Sequence, residues 1–194
     1  MPLGANKAAI MGVSGVSTGP TAPYVVLLST QTATGDSSLS FTSNIDSTYG
    51  EYIFRFYNCN PATDGQYFKW QVDDDAGNNG YNDFNLVTTY WESYFGEAGT
   101  GGVLGYIIGQ DTLGTSYDDL TAAVGNDADQ SCAGEFRLFN PSSTTYAKHF
   151  HGRTHTSYLN EYVIQSFSSG YINTTTAINA VDFKFGAGVF DGKI

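Results

Sequence analysis

Three histidines and an arginine at alternate positions, His149, His151, Arg153 and His155, are the densest run of chemically versatile side chains in the sequence. On a straight strand these even offsets put all four on one face, and His-x-His is a spacing that a metal ion can use. No carboxylate or thiol accompanies them locally, and Arg153 opposes a cation. An exposed polar strand face, or a contact with another chain, accounts for the pattern equally well. A second group, Asp73, Asp75, Asn78 and Asn79, offers oxygen ligands that could hold Ca2+ in a tight loop. It lacks the spaced acidic pattern and the closing glutamate of a calcium loop, so a solvated hairpin tip is the simpler reading.

Tyr90, Trp91 and Tyr94, with Tyr81 and Phe84 upstream, are the third candidate. Aromatic faces stack on the apolar faces of sugars while nearby Asp and Asn take hydroxyls, so a glycan platform is the chemistry they suggest. Aromatic residues make up 15% of the chain, and core packing competes for at least half of this group. No GxSxG, HExxH, Walker loop or dinucleotide fingerprint is present, and Ser131-Cys132 has no His close in sequence. Glu92, Glu97 and Glu161 could be the paired carboxylates of a glycosidase, yet nothing selects them among 19 acids. The expectation is a non-enzymatic protein with no obligatory cofactor.

The elements that must position these groups read as strands. Glu135 to Asn140 and Tyr146 to His155 alternate on either side of Pro141-Ser142-Ser143-Thr144-Thr145, which predicts a hairpin whose Phe136, Leu138, Tyr146, Lys148 and Phe150 oppose the histidine face. Tyr24 to Thr30 predicts a first strand buried on both faces through its Val25-Val26-Leu27-Leu28 run. Further strands are predicted over Ser37 to Thr42, Tyr52 to Asn58, Gln66 to Val72, Asn85 to Tyr94, Leu104 to Ile108 and Glu161 to Ser168. Val181 to Phe185 is another, with Asp182 and Lys184 on its wet face. Tyr117 to Val124, between Ser116 and Gly125, is the one place where a helical turn is predicted. About nine or ten short strands with regular turns imply an all-β chain, a single β-sandwich of jelly-roll-like connectivity.

The 194 residues fit one domain over 24–194, preceded by a Gly- and Ser-rich arm over 1–23 for attachment or subunit contact. A net charge of −11 argues against nucleic acid as a partner, because affinity for phosphates rests on Lys and Arg. The Ala8 to Val13 stretch is a poor signal peptide, and no run approaches the ~18 apolar residues of a membrane span. Cys59 and Cys132 match no zinc spacing and are read as buried thiols or a single bridge.

Several short motifs in order, Leu28-Ser29-Thr30-Gln31-Thr32-Ala33, Ile45-Asp46-Ser47-Thr48-Tyr49, Asn60-Pro61-Ala62-Thr63-Asp64, Leu138 to Thr145 and Gly170 to Thr175, resemble uncharacterised structural proteins of tailed bacteriophages of the marine and cyanobacterial type. The resemblance spans Tyr24 to Gly192. It implies a virion location, as a capsid decoration, head-fibre or tail-fibre protein among other virion proteins. It also implies a homo-oligomer, with a trimer as the expected symmetry, and a host-surface glycan as a possible partner of a receptor-binding tip. Relatives continue past Phe190-Asp191-Gly192 into a last apolar strand whereas this chain stops at Ile194, so a free sheet edge is expected there.

Overall fold

The structure is a computed structural model that describes residues 25–78 and 80–194. The predicted arm over 1–23, Tyr24 and Asn79 lie outside these residues. Thirteen strands are described: β1 Thr32–Asp36, β2 Leu39–Phe41, β3 Glu51–Pro61, β4 Phe68–Asp73, β5 Leu86–Gly96, β6 Gly101–Tyr106, β7 Leu113–Gly114, β8 Asp118–Asp119, β9 Cys132–Phe139, β10 Lys148–Tyr158, β11 Tyr162–Ile172, β12 Ala180–Phe185 and β13 Phe190–Lys193. The strands form an antiparallel β-sandwich. A nine-stranded sheet runs β1-β13-β3-β9-β10-β11-β5-β6, with β7 also on β5, and a four-stranded sheet runs β2-β12-β4-β8.

Aromatic alternation closes the two layers on each other. Phe54 and Phe56 of β3, Phe136 of β9 and Phe150 of β10 point inward from the large sheet. They meet Phe41, Phe68, Trp70 and Phe183 of the small sheet in edge-to-face and tilted contacts, such as Trp70 on Phe136 at 4.3 Å between ring centroids. The predicted hairpin is present, with Phe150 opposite Leu138 and Gly152 opposite Phe136. Lys148 shares that inner face, and its ammonium donates to the carbonyls of Thr174 and Thr176. A buried cation is tolerated there because carbonyl oxygens replace its water.

Farther along the large sheet the inner face becomes polar. Thr154, Ser166, Ser168 and Tyr90 are buried there, and the chain between β7 and β9 covers them. The helical turn predicted over Tyr117 to Val124 is replaced by β8 and an extended crossing. Asp118 explains the difference: its carboxylate accepts from Trp70 Nε1 (3.3 Å), Thr88 Oγ1 (3.1 Å) and Ser168 Oγ (3.3 Å), groups on both sheets that only an extended segment between them reaches. Leu120 follows it inward, and its carbonyl accepts from Thr154 Oγ1 at 2.5 Å. A Cβ at position 152 would sit 2.8 Å from Leu120, so glycine makes room for that contact.

Three other expectations are corrected. Residues 25–30 form no strand, and Val25 and Leu27 are 66% and 81% exposed, so the apolar run is not buried by the described chain. The terminal strand has no free edge: β13 pairs with β1 on one side and β3 on the other, and Ile194 exchanges backbone hydrogen bonds with Gln31. The open edges of the large sheet are β1 and β6. Asp182, expected on a wet face, is buried because Ser40 and Tyr117 cover it and donate to its two oxygens.

Cys59 and Cys132 are free thiols, both buried, opposed in register across β3 and β9. Burial pushes the Cys132 thiol well up, away from the reactive thiolate.

Candidate functional site

The outer face of the large sheet gathers the chain's arginines and histidines. All three arginines and all three histidines project there: Arg55 from β3, Arg137 from β9, and His149, His151, Arg153 and His155 from β10. Alternation dictates this, because each lies one residue away from an inward Phe, Leu, Gly or Thr. Arg137 is engaged, bonded to Glu51 at 2.9 Å and to Glu135 at 3.0 Å. Among the described residues, Arg55 and Arg153 are in no ion pair.

Register extends this patch into an aromatic strip. Arg55, Glu135, Arg153, Phe167, Trp91 and Tyr106 are successive partners across β3, β9, β10, β11, β5 and β6, one transverse row over six strands. Trp91 stacks on Phe167 with centroids 3.9 Å apart and planes 10° apart, and the Arg153 guanidinium lies 5.6 Å from the Phe167 centroid. That is a cation on the edge of a two-ring stack. The Gln165 amide, turned to satisfy both groups, brings its oxygen to 3.1 Å from Arg153 Nε and 3.2 Å from Nη2. Trp91 and Tyr106 remain 38% and 60% exposed. Tyr106 donates to Asp111, which also accepts from the Tyr90 amide at 3.0 Å, so the far end of the row is fixed and acidic.

Close strand approach fixes the cationic end. A Cβ on Gly134 would lie 2.3 Å from the Arg153 carbonyl oxygen, so β9 and β10 meet here only with glycine. A bulge between Phe56 and Cys59 bends β3, with Asn58 at φ 50°. The result is a shallow depression that Arg55, Tyr57, Glu135, Arg153 and His155 border.

The expected trio of Tyr90, Trp91 and Tyr94 is not one platform. Positions 90 and 94 share the inner face, where the Tyr90 hydroxyl donates to Ser166 Oγ at 2.5 Å and Tyr94 packs edge-on against Tyr162 at 5.7 Å. Trp91 alone turns outward, and its neighbours Phe167 and Tyr106 come from other strands. Strand register is the signal that finds them, and local spacing does not contain it. Tyr81 and Phe84 pack inward, beside Tyr117 and the core.

The oxygen ligands are largely committed to their own loop. Asp73 is buried, and its two oxygens accept from the Asp74 and Gly77 amides at 2.8 and 2.7 Å, while Asp75 accepts from the Asn78 amide at 2.8 Å. Burial first, and Asp75 second, push the Asp73 carboxyl upward. Asp73, Asp74 and Asp83 bring oxygens within 4.8 Å of one another, the one grouping of three metal-ligating side chains among the described residues. Asp83, outside the Asp73 to Asn79 run, joins by loop closure. Among the described residues, His149 and His151 therefore have no third ligand beside them. His151 stacks on Phe139 at 5.6 Å, and His149 leans on Tyr171 at 6.2 Å.

Of the three glutamates considered for glycoside cleavage, Glu92 is half-buried on the inner face, where burial raises its carboxyl. Glu97 and Glu161 meet through a backbone hydrogen bond at the strand ends. Comparison of the chain with protein-family models, curated proteins and solved structures gives no match.

Proposed function

We propose that the chain is a non-enzymatic adhesion module on the surface of a tailed-bacteriophage particle, a decoration or fibre component that presents a rigid β-sandwich and holds a glycan on the outer face of its large sheet. The particle setting rests on the resemblance of the sequence motifs. The binding face rests on one observation, the stack of Trp91 on Phe167 left open beside Tyr106. The two rings cover each other's faces and present their exposed edges, and a row held this way on a sheet needs no rearrangement, so it contacts a sugar chain with little ordering cost. Trp91→Ala is expected to weaken retention in polysaccharide-containing native gels about tenfold or more, with its melting temperature unchanged within a few degrees. Unaltered retention would count against the face.

Contact with neighbouring chains has its own support. Val25 to Leu28 is exposed and apolar, and the open edge strand β6 carries Leu104 at 70% exposure without a charge or proline to block pairing. These surfaces suit attachment to other virion proteins or to further copies, a trimer among them. Light scattering of the native protein tests this: a discrete oligomer supports self-association, and a monomer counts against it and favours attachment to other virion proteins.

A further inference from the structure

We infer that the glycan is acidic, a polysaccharide whose carboxylate or sulfate groups dock on Arg153 and Arg55 while its rings lie along Phe167, Trp91 and Tyr106. This rests on the glycan reading above and names its chemistry. The argument is charge complementarity. The chain has 19 acidic residues and 8 Lys and Arg, yet β3, β9, β10, β11 and β5 present all three arginines on this face against two carboxylates, Glu51 and Glu135. Arg137 engages both of those carboxylates. Two guanidiniums are thus left with no acidic partner among the described residues, and both border one depression. Elsewhere an acidic surface repels a polyanion, so the face is where one can settle.

Geometry supplies the spacing and the direction. Neighbouring strands are ~4.8 Å apart, so Arg153 sits about one strand from the Phe167 ring and Arg55 about two strands, ~10 Å, beyond Arg153. A sugar ring over the exposed edges of Phe167 and Trp91 therefore brings a ring substituent to Arg153, and the chain continuing over Glu135 meets Arg55. A guanidinium offers paired N–H donors that match a carboxylate or sulfate edge; Gln165 takes the Nε and Nη2 edge of Arg153, which leaves the Nη1 and Nη2 edge for the ligand. At the opposite end Asp111 disfavours an anion and suits hydroxyls, so the polymer is bound in one polarity. Two cations ~10 Å apart, neither in an ion pair, suit a chain that gains the rest of its affinity from the aromatic row. A nucleic acid, with a phosphate at every nucleotide, would meet too few of them.

The test is binding to immobilised polygalacturonate, to the same polymer with its carboxyls reduced to alcohols, to chondroitin sulfate and to single-stranded oligo-dT. The native protein is expected to bind a carboxylated or sulfated chain at least about tenfold more tightly than the reduced one, and to weaken as salt rises. Arg153→Gln and Arg55→Gln, on separate strands, are each expected to lose about tenfold on the acidic chain and nothing on the neutral one. Equal binding to the reduced polymer, still dependent on Trp91, would overturn the acidic ligand and leave the glycan reading standing. Binding to none of the three sugar chains would overturn both. Oligo-dT bound as tightly as the acidic sugars would overturn the inference in favour of a general polyanion site.

Discussion

Phe183→Ala is expected to lower the free energy of unfolding by about 3–5 kcal/mol, the cost of removing a fully buried Phe and leaving a cavity. Phe183 is the hub of the sandwich. Its ring centroid lies 5.1 Å from Phe56, 5.2 Å from Phe54, 6.0 Å from Phe136, 6.1 Å from Phe68 and 6.2 Å from Phe41. These rings come from both sheets, so the cavity would open where the layers meet. Phe183→Leu keeps most of the volume and is expected to lose far less. Urea unfolding at unchanged slope measures both, and a loss below about 1 kcal/mol for the alanine variant would mean that the layers are held together elsewhere.

The second large effect concerns pH. Asp118 is 1% exposed, and burial pushes its carboxyl up to about 6 from the ordinary 3.8, although Thr112, Thr88 and Trp70 pull it back and Asp119 adds to the rise. Folding therefore favours the protonated acid. The associated stability is fully present below about pH 4 and is lost as pH rises through about 6. It corresponds to at most ~3 kcal/mol. Burial also raises Asp119 and Asp182, so they act in the same direction. The melting temperature is expected to rise by several degrees between pH 7 and pH 5. Asp118→Asn, which keeps an acceptor for Trp70, should stabilise the protein at pH 7 and flatten that dependence. A melting temperature that falls on mild acidification would show that another group controls the balance.

Much of the architecture was legible because alternation is a local signal. β3 alternates Tyr52, Phe54 and Phe56 against Arg55, and β10 alternates Phe150 against its histidines, with no knowledge of what lies across the sheet. What failed was non-local. Val25 to Leu28 looked like a buried strand, but an apolar run does not say whether its cover comes from the same chain. Tyr117 to Val124 carried helix-like ends, yet a buried Asp118 with donors on two sheets decided its form. The binding face was half legible. Its arginines and histidines could be placed on strands, and Trp91 could be singled out. The partners that make Trp91 a surface, Phe167 and Tyr106, lie far along the chain and arrive only through register.

Intrinsic fluorescence tests the central claim most directly, because the chain has two tryptophans and they report on different places. Trp70 is fully buried in the core, while Trp91 stands on the outer face. Acrylamide quenching should resolve one accessible and one protected emitter. Saturation with polygalacturonate is predicted to protect the accessible one, and Trp91→Phe should abolish the polymer-dependent change. Bound polymer with Trp91 quenched as before would contradict the account, because the ligand would then lie on some other surface.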